Sequence, residues 1–324
     1  MHILITGGAG FLGQRLARRL LQRGDIATGE DGARPPIERI TLVDQVAAPD
    51  FGDRRVRTVA ADVCDAEAMG ALIGADVDLV FHLAAVVSGA AEADFDLGMR
   101  INLDASRLLL DLCRVRGQRP RVLFTSSVAV YGGELPAEVQ DDTALRPQSS
   151  YGAQKAIAEL LLADYSRKGF VDGRVVRLPT ISVRPGKPNK AASSFASGIV
   201  REPLNGIDSV CPVPPDTRLW LLSPRRAVES LLAVHELDGT ALGTNRIVNL
   251  PGLSVSVQEM VEALRRVGGD EAASHVHWER DATVERIVGG WPAAWNTRRA
   301  ASLGLSADKS FEDIVRAYVE DELR

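Results

Sequence analysis

Tyr151 and Lys155 are the residues of this chain whose types and spacing best fit acid–base chemistry. They are four positions apart in a predicted helix, so their side chains share one face, although many such pairs are ordinary surface pairs. A free tyrosine has a pKa of about 10, and an adjacent ammonium favours the phenolate and lowers that value. The pair therefore predicts a base that removes a proton from an alcohol. Ser127, at the end of the preceding predicted strand, would hydrogen-bond the same oxygen and orient it.

The glycines near the N-terminus predict where a redox cofactor would bind. They follow an apolar run at 2–5 and precede a helical pattern with leucine at every fourth position. Strand, glycine turn and helix in that order are typical of a dinucleotide-binding unit rather than of a plain structural turn. The first glycine allows the tight turn, the second lets a pyrophosphate approach the backbone, and the third lets the helix pack closely. The expected contacts of this turn are Gly7, Gly10, Phe11, Leu12 and Gly13.

Residues at the ends of the next predicted strands extend the cofactor site. Asp44 ends the strand at 39–44, where an acid accepts hydrogen bonds from the adenosine ribose and favours NAD over NADP; the alternative is an ordinary turn acid. A polar loop at 24–38 explains why Asp44 lies farther from the glycines than in the usual motif. The remaining expected contacts are Asp62 and Val63 near the adenine, and Leu83, Ala84 and Ala85 after a fourth strand.

Three further side chains are candidates for substrate binding. Ser88 follows the carboxyl end of the fourth strand, where open α/β sheets bind ligands, although it could equally be a loop serine. Arg184 and Arg218 could each offer a planar guanidinium to a carboxylate, although most arginines are solvated. The small polar residues at 187–197 fit a segment that closes over a hydroxylated ligand, or a surface loop.

Composition and patterning limit the classes of partner. The chain has 324 residues, 45% hydrophobic and 25% charged, with a net charge of -5 and its acids and bases mixed. This balance argues against a nucleic-acid or membrane partner, and no apolar run is long enough to span a bilayer. The three cysteines are far apart, and His275 and His277 lack a third ligand, so we predict neither disulfides nor a metal site. We expect a cytoplasmic protein.

Predicted strands and helices alternate along the chain, which favours an α/β fold with a Rossmann-type, doubly wound parallel sheet. We expect residues 1–178 to form an NAD-binding domain, to which the segment 224–250 returns. Residues 179–324 would then form mainly a smaller α/β substrate-binding domain.

The motifs TGGAGFLG, HLAA, TSSVAVYG and YGAQK resemble the extended short-chain dehydrogenase/reductases, also described as the NAD-dependent epimerase/dehydratase family. The resemblance implies a Rossmann domain, bound NAD(P) and a catalytic set of Ser127, Tyr151 and Lys155, with the lysine also on the nicotinamide ribose. It further implies a cofactor contact for Asn102, which matches an asparagine of the middle helix. A homodimer through the helices that start at residues 94 and 151 is also implied.

The segment around Leu178 and Thr180 is expected to line the nicotinamide pocket, and it departs from the asparagine-rich form that many sugar-nucleotide epimerases carry. The runs at 86–107, 178–204 and 211–221 resemble a subfamily that uses NAD to oxidise the C2 hydroxyl of the four-carbon sugar acid D-erythronate to a 2-oxo acid. The alternatives are an epimerase or dehydratase of nucleotide sugars that retains its NAD, and a non-catalytic sensor of NAD(P).

Overall fold

The computed structural model describes residues 1–28, 32–74 and 76–323, so residues 29–31 of the loop predicted at 24–38 lie outside the described residues. Within those ranges, strands and helices alternate through the first half of the chain. The strands are β1 (His2–Thr6), β2 (Arg39–Asp44), β3 (Val56–Ala60), β4 (Leu79–His82), β5 (Arg121–Ser127), β6 (Asp172–Leu178), β7 (Thr180–Ile181), β8 (Ser209–Cys211), β9 (Arg218–Leu222), β10 (Ile247–Asn249), β11 (Leu253–Ser256) and β12 (Val276–Trp278).

The helices follow the same chain order. They are α1 (Phe11–Arg23), α2 (Ala66–Leu72), α3 (Ser88–Ala93), α4 (Phe95–Gly98), α5 (Ala105–Arg116), α6 (Ser150–Arg167), α7 (Phe195–Leu204), α8 (Pro224–Glu236), α9 (Gly239–Leu242), α10 (Val257–Ser274), α11 (Ala282–Gly289), α12 (Arg298–Ser302) and α13 (Phe311–Glu322). A π-helical stretch, Met99–Asp104, joins α4 to α5. No helix in the described ranges is both long enough and apolar enough to cross a bilayer.

The central sheet contains seven strands in the order β10-β6-β5-β4-β1-β2-β3, and every neighbouring pair is parallel. Successive side chains of a strand point to opposite faces, so Ile3 and Ile5 pack with α1 and α8 while Leu4 packs with α5 and α6. The sheet is therefore covered by helices on both faces, which confirms the predicted Rossmann-type α/β fold.

A second layer of structure lies beside this sheet. The strands β11, β9 and β7 form a three-stranded sheet, and β12 and β8 form a parallel pair. The helices α7, α10 and α13 share one apolar core with β8, β9, β11 and β12. The chain changes sheets at Pro179, between β6 in the central sheet and β7, which pairs with β9. Proline has no backbone N–H to give to the ladder, so the chain leaves the central sheet there.

Candidate active site

A cleft of about 300 Å³ opens at the carboxyl edge of the central sheet. Its walls come from the β1–α1 turn, the ends of β4, β5 and β6, the start of α6, and the chain that follows β7. Because parallel strands end at the same edge, residues far apart in sequence meet there. The predicted site residues that line this cleft are Gly7, Gly10, Phe11, Leu12, Gly13, Leu83, Ala85, Ser88, Ser127, Tyr151, Lys155, Leu178, Thr180 and Arg184.

The glycine turn has the geometry of an anion cradle. Gly7 has a φ of 70°, and a Cβ built on it would lie 2.8 Å from the backbone nitrogen of Ala84, which packs behind the turn. A Cβ on Gly13 would overlap the carbonyl oxygen of Gly7. The helix α1 begins after Gly10 with no side-chain cap and no acid in its first turn. Its free N–H groups and positive dipole end are therefore available to a pyrophosphate.

The two acids predicted to contact the adenosine half have different surroundings. Asp44 lies beside the glycine turn, where its carboxylate accepts hydrogen bonds from the backbone N–H groups of Ala9 (3.1 Å) and Gln45 (2.8 Å). Asp62 accepts a hydrogen bond from the Cys64 N–H at 2.9 Å and lies 2.7 Å from the guanidinium of Arg100, and these two contacts, in that order, lower the pKa of its carboxyl. The side chain of Val63 packs into the core, so Val63 can offer a ligand only its backbone.

Asn102 does not line the cleft, which differs from its predicted cofactor contact. Its side chain is buried in the π-helical stretch that precedes α5. The amide oxygen accepts a hydrogen bond from the Val86 N–H (2.8 Å), and the amide nitrogen donates to the carbonyl of Val86 (3.1 Å) and to the Gln154 side chain (2.8 Å). With these bonds made, Asn102 fixes the chain after β4 against α6.

The local sequence brings the start of α6 against the end of β5. Ser149 caps the helix by accepting a hydrogen bond from the Gly152 N–H at 3.2 Å. A Cβ on Gly152 would overlap the carbonyl oxygen of Ala129, so only glycine permits this close approach. The cap and the glycine together set Tyr151 and Lys155 at the floor of the cleft.

Ser127 and Tyr151 both line the cleft, and the Ser127 side chain is one of the groups that lower the pKa of the Tyr151 phenol, against the burial that raises it. The ammonium nitrogen of Lys155 donates to the Thr125 carbonyl at 3.0 Å and lies 4.5 Å from the ring centroid of Phe124. It is 5.7 Å from the ring centroid of Tyr151. The lysine therefore lies over the ring of the tyrosine, and the serine lines the same cleft.

Burial shifts the pKa values of both groups towards their neutral forms. It raises the pKa of Tyr151 to about 12, against the opposing effects of Ser127 and the Arg184 guanidinium. It lowers the pKa of Lys155 to about 7, against the opposing charge of Glu159. The sequence predicts that Lys155 makes Tyr151 more acidic, whereas the groups that lower the pKa of Tyr151 in the structure are Ser127 and Arg184.

Arg184 brings a positive charge into the cleft. Burial lowers its pKa to about 10, so its guanidinium stays charged at neutral pH. Its Nη2 donates to the carbonyl of Ser193 at 2.8 Å and its Nε contacts the Ser197 hydroxyl at 3.4 Å. Among the hydrogen bonds of the described residues Nη1 makes none, which leaves this nitrogen for a ligand.

Arg218 lies outside the cleft, away from the pocket in which the sequence predicts it. It is the first residue of β9, and its exposed side chain reaches across to β11 and α10. There it donates to the Ser254 carbonyl at 2.8 Å and lies 3.3 Å from the Glu259 carboxylate. The next residue, Leu219, points into the core, and strand alternation turns Arg218 the other way.

Several lining residues are absent from the predicted site. Those between 187 and 197 had a sequence signal in the small polar composition of that segment. The lining residues absent from the predicted site include Ser126, Asn189, Ala191, Ser193 and Trp291. In the described residues no group of three potential ligands could hold a metal ion, and His275 and His277 lie at β12, outside the cleft.

Comparisons with known proteins agree with this geometry. The model of the NAD dependent epimerase/dehydratase family matches residues 3–214. The D-erythronate dehydrogenase of Cupriavidus necator is 65% identical over 99% of this chain and 98% of its own length. That of Haemophilus influenzae is 45% identical over the full length of both proteins. A crystal structure from Agrobacterium tumefaciens, described as a nucleoside-diphosphate-sugar epimerase, is 46% identical with a TM-score of 0.92, covering 100% of this chain and 94% of that one. These matches confirm the resemblance seen in the motifs, and the chain belongs to the NAD dependent epimerase/dehydratase family.

Proposed function

We propose that this chain is an NAD-dependent dehydrogenase that oxidises the C2 hydroxyl of D-erythronate to a 2-oxo acid. The observation that carries the proposal is the presence of Arg184 and Tyr151 in one cleft, close enough for their charges to interact. A 2-hydroxy acid has its carboxylate and its reacting hydroxyl on adjacent carbons, so its enzyme needs a cation and a base side by side. The D-erythronate dehydrogenase of Cupriavidus necator, at 65% identity, supports the choice of acid.

NAD is the cofactor of the family, and the residues present fit it. The glycine turn and the uncapped start of α1 would hold the pyrophosphate. The Asp44 carboxylate would accept hydrogen bonds from the hydroxyls of the adenosine ribose. Leu178 and Thr180, together with Leu83 and Ala85, would line the nicotinamide end. Bound NAD would supply a hydride acceptor and a positively charged ring.

The residues around Tyr151 divide the remaining chemistry among them. Ser127 would hydrogen-bond the C2 oxygen and orient it, and Arg184 would hold the carboxylate. Tyr151 would take the hydroxyl proton as the C2 hydrogen leaves as hydride, so that the C–O bond becomes a carbonyl. Lys155, held by the Thr125 carbonyl, would contact the nicotinamide ribose and supply a positive charge beneath the ring of the base.

The activity is tested by incubating the purified protein with NAD and a panel of four-carbon sugar acids while NADH absorbance is followed. D-Erythronate should give NADH, with NAD preferred to NADP. The variant Tyr151→Phe should lose at least about a hundredfold in kcat, the usual range for a lost general base, yet still bind NADH by fluorescence titration. If no acid of the panel reduces NAD, the proposed reaction is refuted.

An epimerase that retains its cofactor is the second candidate, because the similar Agrobacterium tumefaciens structure is described as a nucleoside-diphosphate-sugar epimerase. Such an enzyme would return the hydride to its substrate, so NAD would copurify and no net NADH would form. Release of nucleotide on denaturation, measured together with turnover of sugar acids, separates the two candidates.

We further propose a homodimer through α4 and α6. These neighbouring helices expose Phe95, Ile157 and Leu160, with 58%, 43% and 67% of their surfaces accessible. Apolar side chains clustered on adjacent helices favour a self-complementary interface. Light scattering should give twice the 34.8 kDa mass of the chain, and Leu160→Glu should shift it to the single mass. A single mass for the unmodified protein at micromolar concentration would overturn the dimer.

We also propose a cytoplasmic location. Cys64, Cys113 and Cys211 are free thiols, as is usual in a reducing compartment, and a cytoplasmic enzyme draws on the NAD pool of the cell. Cell fractionation that recovers the protein in the membrane or outside the cell would contradict this location.

A further inference from the structure

The segment 185–194 crosses from Arg184 to the start of α3 and forms the outer wall of the cleft. Its residues Asn189, Ala191 and Ser193 line the cleft. On the opposite side, the Ser88 hydroxyl accepts a hydrogen bond from the Ala192 N–H at 3.2 Å. The cleft is thus closed on this side by a contact between two parts of the chain about a hundred residues apart.

Gly89 makes this contact possible because it has no side chain. A Cβ built on Gly89 would overlap the carbonyl oxygen of Lys190 and would lie 3.3 Å from its carbonyl carbon and 3.8 Å from the Ala192 nitrogen. The segment therefore rests directly on the backbone of α3, with no space for a methyl group between them.

Backbone conformation does not explain the glycine. Gly89 lies inside α3 and is not among the residues with positive φ. Alanine is the better helix former by intrinsic propensity, so glycine weakens a short helix here. The close approach of Lys190 is the feature of the structure that requires it.

Hydrogen bonds within the segment make it a single unit. The N–H of Asn189 donates to the Ser194 hydroxyl at 3.2 Å, and the Asn189 side-chain oxygen accepts from the Ala191 N–H at 3.0 Å. The Arg184 guanidinium donates to the Ser193 carbonyl at 2.8 Å. A displacement at Lys190 would therefore move the lining residues and disturb the arginine together.

We propose that Gly89 is the docking point on which segment 185–194 closes the substrate end of the cleft, and that this contact restricts the cleft to small sugar acids. The restriction in size rests on the proposed function, whereas the docking does not. With the segment lifted, the outer wall is removed while the glycine turn that would hold the cofactor is untouched.

The docking is tested by limited proteolysis of Gly89→Ala with endoproteinase Lys-C. The bond after Lys190 is the one whose carbonyl rests on Gly89, and Lys187 precedes a proline that hinders cleavage. We expect a fragment that begins at Ala191, identified by mass spectrometry, to appear about tenfold faster than in the unmodified protein, because the added methyl favours the open segment. The control is Gly289→Ala, where a Cβ meets nothing within 4 Å, and it should not change the rate.

Steady-state kinetics then compare Gly89→Ala with the same control, Gly289→Ala. Gly89→Ala should raise KM for D-erythronate about tenfold and should shift relative kcat/KM towards five- and six-carbon acids, with the Kd for NADH within about twofold. Ser88→Ala removes the acceptor of the Ala192 N–H and should accelerate cleavage after Lys190 to a smaller extent, which keeps the test open if Gly89→Ala does not fold.

The outcomes separate the two proposals. Unchanged cleavage after Lys190 in both Gly89→Ala and Ser88→Ala overturns the docking. Faster cleavage with unchanged KM and unchanged preference for chain length overturns the role in selecting substrates. Faster cleavage in a protein that oxidises none of the sugar acids supports the docking and refutes the proposed function.

Discussion

Replacing Arg184 with methionine should raise KM for the sugar acid only moderately, because one nitrogen of its guanidinium is already bonded within the protein. Nη2 already donates to the Ser193 carbonyl, so the free nitrogen Nη1 supplies one new charge-assisted hydrogen bond to the substrate. A hydrogen bond to a charged group contributes about 1.5–3 kcal/mol, which corresponds to about 10- to 150-fold in binding. A fully free, bidentate arginine would give a larger loss.

The same substitution should also change the pH dependence of turnover. The Arg184 guanidinium is one of the groups that lower the pKa of Tyr151, against the burial that raises it to about 12. Without that charge the pKa of Tyr151 rises, so less phenolate is present at any given pH. The rising limb of the kcat/KM profile, which reports the pKa values of the free enzyme, should therefore move to higher pH in Arg184→Met, and Arg184→Lys should restore part of the shift.

The assay compares D-erythronate with its amide, which keeps every hydroxyl and lacks only the charge. The unmodified enzyme should prefer the acid, and Arg184→Met should lose most of that preference. Arg218→Met is the matched control, because Arg218 is bonded to Ser254 outside the cleft and should keep the preference within about twofold. If Arg184→Met discriminates between acid and amide as well as the unmodified enzyme does, the carboxylate is bound elsewhere.

Three further changes test other parts of the site. Glu159→Gln removes the charge that raises the pKa of Lys155, so that pKa should fall below about 7 and the lysine-dependent limb of the pH profile should move to lower pH, while Glu159→Asp should retain more of the original profile. Gly13→Ala adds a methyl that overlaps the Gly7 carbonyl and should weaken NADH binding about a hundredfold by fluorescence titration; binding within about twofold would contradict the cradle. Asp44→Asn removes the negative charge that disfavours a 2′-phosphate and should raise kcat/KM with NADP relative to NAD; an unchanged ratio would contradict the ribose contact.

The central sheet could be predicted from the sequence because patterns of adjacent residues indicate its strands. The strand expected at 39–44 has those bounds in the structure, since it is a short, mostly apolar run bounded by polar residues. The order of strand, glycine turn and helix likewise depends on adjacent residues. Once such strands are parallel, the residues that follow them must meet at one edge, which brings Ser127 and Tyr151 together.

The parts of the site that could not be predicted from the sequence depend on contacts between distant segments. Arg184 and Arg218 are equivalent as residue types, and only the antiparallel pairing of β9 with β11 turns Arg218 towards Ser254. The side chain of Asn102 is held by a hydrogen bond to the backbone of Val86. Gly89 is required because the carbonyl of Lys190, about a hundred residues later, packs directly on it. A local pattern of residue types cannot predict these contacts between distant segments.

Burial has one further consequence for the catalytic pair. A pKa of about 12 for Tyr151 and about 7 for Lys155 favours the neutral phenol over the phenolate in the cleft. A bound carboxylate would neutralise much of the charge of Arg184, which is one of the groups that lower the pKa of the phenol. The positive charge that stabilises the phenolate must then come from Lys155 and from the oxidised nicotinamide ring. It follows that Tyr151 is an effective base only when the oxidised cofactor is bound, which keeps the protein from holding an unpaired buried phenolate between turnovers.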